Sequence, residues 1–255
     1  MARSMFVNSA VLAVPPPAGS ALGFSSWTRE VRALAACTAS APCFPSDGLP
    51  RGRGENVLVV PGFLTGDWTT VRLRTFLTRQ GCCAEGAKIV FNSGPTRSLV
   101  AHLERKLATL SDKEGAPVAL IGLSLGGVFA RGLAHLHPSR VKRVITLCSP
   151  IRFPVTTPLE RAVRALAFFH DAKWVADRER ISARPRMPVT AIYSQLDGIV
   201  DWRQCLQEEA PGYDNVHIPG AHTTMGSNPD AQRVIAMTLA GARDVASPAQ
   251  RETQN

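Results

Sequence analysis

A serine flanked by glycines is the residue of this chain best placed to carry out chemistry. Ser124 lies between Gly122 and Gly126, after the apolar run 117–123 and before a segment with helical apolar spacing that ends at Pro138. A glycine-bordered turn between a strand and a helix holds a serine hydroxyl above the edge of a sheet. The sequence therefore predicts Ser124 as a nucleophile.

Two histidines near the end of the chain are candidates for the base. A serine hydroxyl is a poor nucleophile at neutral pH unless a base takes its proton and a third group orients that base. Of the six histidines, His217 lies in a strand-like segment, whereas His222 follows a Pro-Gly-Ala turn. A ring on a loop reaches over the sheet edge more readily than one within a strand. We predict His222 as the base, with His217 as the alternative.

An acid that orients the base is expected where a later strand ends. Asp197 follows the apolar run 189–193 and precedes Gly198, which permits a turn. Open parallel sheets place their chemistry at this edge. Asp201 is the alternative, although it is equally typical of a carboxylate at the start of a helix. We predict Asp197 as the acid that fixes the tautomer of the histidine.

Two backbone N–H groups are needed to stabilise the negative oxygen of a tetrahedral intermediate. Leu125, the residue after the serine, is predicted to supply one of them from the start of its helix. Phe63 is predicted to supply the other from the loop after the strand 56–60, where Gly62 lets the backbone approach a substrate. Pro61 and Gly62 together are also an ordinary turn signal.

Alternating strands and helices are expected to position these residues. Apolar runs predict the strands and amphipathic runs predict the helices between them, which favours an α/β fold with a mostly parallel central sheet flanked by helices. The predicted strands are 56–60, 87–91, 117–123, 141–147, 189–193 and 215–218, and the predicted helices are 27–38, 69–80, 96–110, 128–136 and 230–242.

The 255 residues are expected to form one catalytic domain. We predict this domain over 55–245, preceded by a leader with a short helix over 1–54 and followed by a polar tail over 246–255. The segment 151–186 is longer than a simple crossover and is predicted to form a small cap over the site; an ordinary crossover helix with an extra loop is the alternative. The predicted substrate contacts are Leu64 and three aromatic residues of this insertion, Phe168, Phe169 and Trp174.

Composition argues against several classes of partner. No run of about 18 apolar residues exists, so no transmembrane segment is expected. The N-terminal apolar stretch is too short for a secretory signal, so a cytoplasmic location is expected. The net charge is +9, but the basic residues are spread over the chain, so nucleic acid is not an expected partner. The six cysteines form no C-x-x-C pair and have no ligand-like histidine spacing, so no metal site is expected.

Taken together, the motifs resemble those of the α/β-hydrolase superfamily, in particular its bacterial esterases and lipases. The resemblance covers about 55–245 and rests on Val-Pro-Gly-Phe-Leu at 60–64, Gly-Leu-Ser-Leu-Gly-Gly at 122–127, Tyr-Ser-Gln-Leu-Asp-Gly-Ile-Val at 193–200 and Pro-Gly-Ala-His at 219–222. It implies the α/β-hydrolase fold, a triad of Ser124, Asp197 and His222, and cofactor-free hydrolysis of small-molecule or lipid esters of carboxylic acids through an acyl-enzyme. Many relatives carry histidine before the oxyanion glycine, where this chain has Pro61.

Two other kinds of function stay open at this point. An acyltransferase, a thioesterase or an amidase would use the same serine, acid and base, because the acceptor is chosen by pocket shape and water exclusion. A non-catalytic binding protein on the same fold is the other hypothesis, and the complete set of three residues argues against it. The expected acyl group is short or medium in length, and the sequence indicates no oligomeric state.

Overall fold

The computed structural model describes residues 13–16, 22, 24–42, 44 and 48–241. Its strands are β1 (Ala13–Val14), β2 (Asn56–Val60), β3 (Cys83–Gly86), β4 (Val118–Leu123), β5 (Val141–Leu147), β6 (Val155–Thr156), β7 (Val189–Tyr193) and β8 (Tyr213–His217). Six of them form a parallel sheet in the order β3-β2-β4-β5-β7-β8. The carboxyl ends of these strands therefore lie along one edge.

Helices cover both faces of the sheet. They are α1 (Phe24–Ala39), α2 (Val71–Arg79), α3 (Arg97–Glu114), α4 (Leu125–Leu136), α5 (Glu160–Leu166), α6 (Ala172–Ala176), α7 (Arg178–Ser182) and α8 (Pro229–Leu239). Because successive side chains of a strand point to opposite faces, Val57 and Val59 of β2 pack with α2 and α8, whereas Leu58 and Val60 pack with α3 and α4. The apolar runs of the inner strands thus belong to two cores.

The predicted α/β architecture, a mostly parallel central sheet flanked by helices, is confirmed. The strands predicted over 56–60, 141–147 and 189–193 have those bounds in the structure. The helix predicted over 128–136 begins three residues earlier, at Leu125, so it starts directly after the serine.

The strand predicted over 87–91 is wrong. Strand β3 lies just before it, at the edge of the sheet, where β2 is its one partner strand among the described residues. The backbone leaves the extended region at Lys88, which has a φ of 58°. The carboxylate of Asp67 accepts the N–H groups of Lys88 (2.9 Å) and Ile89 (3.3 Å), so these donors are bound by a side chain and not by a neighbouring strand.

The segment 151–186 carries β6 and the three short helices α5, α6 and α7. Arg131 of α4 anchors the C-terminal end of this segment. Its buried guanidinium donates to the carbonyl oxygens of Ile181 (2.9 Å), Ser182 (3.1 Å) and Ala183 (2.6 Å). Burial lowers the pKa of Arg131 to about 10, which leaves it charged at neutral pH. The segment is therefore held against the helix that follows the serine.

The described part of the N-terminal region contributes two elements to the fold. Strand β1 pairs in parallel with β6 of the insertion, and α1 packs against the turn 222–227. Within the described ranges, no helix combines the length and the apolar character needed to cross a membrane.

Candidate active site

The turn at Ser124 has a strained backbone that only small neighbours permit. Ser124 has φ 52° and ψ −123°, an unfavourable region for a residue with a side chain. A Cβ on Gly122 would lie 2.2 Å from the carbonyl carbon of Gly126, and one on Gly126 would lie 2.2 Å from the carbonyl oxygen of Val60. The N–H of Ser124 donates to Leu147 on β5 (2.8 Å). The glycines therefore permit the sharp change from strand to helix.

The predicted acid and base are hydrogen-bonded to each other. The Nδ1 of His222 lies 2.7 Å from the Oδ2 of Asp197, and both side chains are almost completely buried. The other oxygen of Asp197, Oδ1, accepts the N–H groups of Ile199 and Val200, each at 2.8 Å. With its carboxylate fixed in this way, Asp197 holds the proton of the imidazole on Nδ1 and leaves Nε2 free to accept one.

The electrostatic surroundings of His222 favour its protonated form. Burial lowers the pKa of the imidazole, but the charge and hydrogen bond of Asp197 and the charge of Glu30 outweigh this effect, so the pKa is raised above its ordinary value. Stabilisation of an imidazolium is what a general base requires when it takes a proton from a serine.

A third side chain, Cys148, lies beside this pair at the end of β5. The ligand atoms of Cys148, Asp197 and His222 all lie within 4.8 Å of one another. Burial and the neighbouring charge of Asp197 raise the pKa of the Cys148 thiol well above its usual range. The facing atoms of Asp197 and His222 already bond to each other. The group therefore fits a hydrogen-bonded acid–base pair and not a cation site.

Two contacts bring Ser124 and the pair to the same part of the sheet edge. Ser124 is bonded to Leu147, the residue before Cys148, and the N–H of Cys148 donates to Ile192 on β7. The turn that begins at His222 also packs over the end of β4, since a Cβ on Gly226 would lie 3.0 Å from a methyl group of Leu123. The strand carrying the serine and the turn carrying the base are therefore in contact.

The two alternative residues occupy other positions. Asp201 accepts the N–H of Arg203 (3.0 Å) at the start of a short 3-10 turn, which is the capping role expected of such a carboxylate. His217 stays within β8, where its ring packs against Tyr193. Its buried Nε2 has no hydrogen-bond partner in the described part of the chain. Neither residue belongs to the acid–base pair.

The loops predicted to hold an oxyanion flank the serine. Leu125 is the first residue of α4, so its N–H has no partner within the helix. A Cβ on Gly62 would lie 3.1 Å from the Cβ of Ser124, which shows how closely the loop after β2 approaches the serine. Phe63, Ser124 and Leu125 line the same cavity. The role of these two N–H groups stays a prediction.

This cavity is apolar and small. Its volume is about 100 Å³, less than the roughly 150 Å³ of a cavity that admits benzene. The polar residues of its wall are Ser124, Thr157, His170 and Arg178, and the other lining residues are apolar. Burial lowers the pKa of His170, so this ring is neutral at pH 7. The cavity therefore suits an uncharged, short hydrocarbon group next to the serine.

The structure separates the predicted substrate contacts into two groups. Trp174 lines the cavity and packs on α4, where the absence of a side chain at Gly132 makes room for the indole: a Cβ there would lie 2.2 Å from the ring. Phe168 and Phe169 lie outside the cavity and are 87% and 62% exposed. Leu64, with a φ of 59°, is also not among the lining residues. Of the four predicted substrate contacts, Trp174 is the one that lines this cavity.

One residue of the site was not predicted from the sequence. Glu30 of α1 is 1% exposed, and its carboxylate accepts hydrogen bonds from Gly198, next to Asp197, and from His222 itself. The sequence offers little signal for this role, because Glu30 precedes these partners by 168 and 192 residues.

Comparison with known proteins identifies the fold. A family model described as the alpha/beta hydrolase fold matches residues 78–185. A search of curated protein sequences returned no significant match.

Among solved structures, the chain is similar to lipase B of Aspergillus fumigatus, with 17% identity and a TM-score of 0.57 over 78% of this chain and 55% of the lipase. The chain thus spans little more than half the length of that lipase. It is also similar to a monoacylglycerol lipase of Paleococcus ferrophilus, with 16% identity and a TM-score of 0.52 over 76% of this chain and 97% of the other. A thioesterase domain from the curacin biosynthetic pathway gives 16% identity and a TM-score of 0.51 over 75% and 93%. With its sheet order, its strand–serine–helix turn and this family match, the chain is a protein of the α/β-hydrolase fold.

Proposed function

We propose that the protein is a serine hydrolase that cleaves carboxylic esters with short acyl groups, using Ser124, Asp197 and His222. The observation that carries the proposal is the strained, cavity-lining Ser124 at the same sheet edge as a buried His222–Asp197 pair. The order Ser, Asp, His along the chain agrees with that of hydrolases built on a strand–serine–helix turn.

The proposed reaction proceeds through an acyl-enzyme. His222 Nε2 takes the proton of Ser124 as the serine oxygen bonds to the ester carbonyl carbon, and the negative oxygen is stabilised by the N–H groups of Phe63 and Leu125. The tetrahedral intermediate then loses its alkoxide, which leaves as an alcohol with the proton from His222. A water molecule, deprotonated by His222, attacks the acyl carbon and releases the acid, and the proton returns to Ser124. Asp197 keeps its charge throughout and stabilises the imidazolium.

Labelling with a fluorophosphonate probe tests the nucleophile directly. Such a probe phosphonylates a serine only when a base activates it, so we expect one adduct on the folded protein, located at Ser124 by peptide mass spectrometry. Heat-denatured protein is the control and is expected to remain unlabelled. A folded protein without an adduct at Ser124 would rule out the mechanism and favour a non-catalytic binding protein.

The small cavity makes a prediction about chain length. On p-nitrophenyl esters we expect the highest kcat/KM for acetate or butyrate and a fall towards palmitate, because a short hydrocarbon group already fills the apolar space of about 100 Å³ beside Ser124. In the variant Trp174→Leu, which enlarges the cavity, the optimum is expected to move towards octanoate. The measurement is kcat/KM across the ester series for both proteins.

The matched control for this variant is Phe168→Leu, which alters an exposed aromatic residue of the same insertion outside the cavity. It is expected to keep the wild-type preference. A wild-type optimum at palmitate, or the same optimum in wild type and Trp174→Leu, would contradict the assignment of this cavity to the acyl group.

A separate experiment distinguishes hydrolysis from acyl transfer. When an alcohol is added to the reaction, an ester product that exceeds the free acid would identify an acyltransferase.

A further inference from the structure

We propose that Glu30 is a positioning residue that joins the loop of the acid to the loop of the base and places a second carboxylate beside His222. The inference rests on the proposed function, because His222 is the base of that reaction. Glu30 is not among the residues that line the cavity. It therefore acts on catalysis through the two loops it holds and through its negative charge, without contacting a group in the cavity.

Four hydrogen bonds connect the Glu30 carboxylate to these loops. Its Oε1 accepts the backbone N–H groups of Gly198 (2.9 Å) and His222 (2.8 Å). Its Oε2 accepts the backbone N–H and the hydroxyl of Thr223, each at 2.9 Å. Since Gly198 directly follows Asp197, one side chain links the residue after the acid to the base itself.

The neighbouring backbone is shaped to admit this carboxylate. A Cβ on Gly198 would lie 2.8 Å from the Cγ of Glu30 and 2.8 Å from the carbonyl oxygen of Ser26, so a larger residue would displace α1. The guanidinium of Arg29 adds a bond from the same helix to the carbonyl oxygen of Leu196 (3.0 Å). A buried carboxylate is costly unless it is hydrogen-bonded, and an ionised carboxylate only accepts. The four donors match that form.

Among the described residues, three side chains with titratable groups lie near His222. Asp197 comes from the loop after β7, Glu30 from α1, and Cys148 from the end of β5. Cys148 stays a neutral thiol because burial raises its pKa. The two carboxylates both raise the pKa of His222. Glu30 thus adds stabilisation to the imidazolium that forms during acylation.

The variant Glu30→Gln tests this role in the full-length protein. A glutamine keeps the shape but turns an NH₂ group towards either Thr223 or the other two donors, so at least one backbone donor loses its acceptor. We expect kcat for p-nitrophenyl butyrate to fall about tenfold to a hundredfold with little change in KM. Because the loss of one carboxylate lowers the pKa of His222, the acid limb of the pH–rate profile is expected to move to lower pH.

The pKa of His222 is also measured without activity, by NMR titration of histidine-labelled wild type and Glu30→Gln. A lower pKa in the variant supports the proposal even if the protein hydrolyses no ester, so the two proposals fail separately. The control is Glu55→Gln. The carboxylate of Glu55 is paired with Lys142 and directly precedes β2, so it lies at the amino ends of the strands, opposite the candidate site. Both its kcat and the pKa of His222 are expected to match wild type.

A Glu30→Gln variant with wild-type kcat and an unchanged pKa of His222 would overturn the proposal. If this variant does not fold, Thr223→Val provides the test, because it removes the hydroxyl donor and keeps the charge of Glu30. We then expect a lower kcat with an unchanged pKa of His222. A wild-type kcat in Thr223→Val would overturn the proposal in that case.

Discussion

Replacing Ser124 with alanine is expected to lower kcat for p-nitrophenyl butyrate by about 10⁴-fold or more, since serine proteases that lose their nucleophile lose activity on this scale. The methyl group of alanine cannot form an acyl-enzyme. The only catalysis left is stabilisation of the negative oxygen by the surrounding N–H groups. Alanine meets the same backbone strain as serine at φ 52°, so the midpoint of thermal unfolding is expected to stay close to wild type. Steady-state kinetics and circular dichroism measure the two quantities.

The matched control is Ser98→Ala, which alters an exposed serine at the start of α3. We expect it to keep wild-type kcat and to remain unlabelled by the fluorophosphonate probe. If Ser124→Ala kept a tenth or more of the wild-type activity, the nucleophile would lie elsewhere and the proposed mechanism would be wrong.

Replacing Asp197 with asparagine is expected to lower kcat about 10³- to 10⁴-fold at pH 7. The Oδ1 of Asp197 accepts two backbone N–H groups at 2.8 Å, so the oxygen of asparagine is held there and its NH₂ group faces His222. That group donates to Nδ1, which forces the proton onto Nε2 and removes the acceptor needed by the serine. The loss is expected in kcat, while KM changes little.

Asp201→Asn is the control that distinguishes the two acids. Asp201 caps a short 3-10 turn and is bonded to Arg203, and asparagine caps such turns about as well as aspartate. We expect wild-type kinetics from it. The reverse result, with a large loss in Asp201→Asn and wild-type activity in Asp197→Asn, would refute the assignment of the acid.

The inner strands were predictable because their position leaves a pattern in the sequence. Strands β2, β5 and β7 have neighbours on both sides and helices on both faces, so most of their side chains are apolar and buried. The turn at Ser124 was predictable for a related reason, since glycines are required where the backbone is crowded. These signals are local, and in the structure Ser124 and Asp197 follow the carboxyl ends of β4 and β7.

The edge strand was missed because it carries no such pattern. Strand β3 is Cys-Ala-Glu-Gly, with one neighbour and partly exposed side chains. The more apolar run after it contains Val90 and Phe91, which are largely exposed. At this edge of the sheet, an apolar composition therefore indicates neither a strand nor burial.

Helix α1 reverses the usual relation between polarity and burial. The polar side chains of Ser26 and Glu30 are buried, whereas Trp27 and Val31 are exposed. A helix that docks through hydrogen bonds to loops cannot be recognised by an apolar stripe. The role of Glu30 depends on contacts that only the folded chain brings together.

The bonds of Glu30 also bear on the order in which the molecule folds. They join residues 168 to 193 positions apart, and such distant pairs form late because closing long loops costs entropy. A ribosome releases α1 long before the loops it will hold, so the sheet is expected to assemble first and the acid and base to gain their geometry last. We therefore expect catalytic activity to appear only after the loop around Thr223 has been synthesised and has docked on α1, later than the formation of the core.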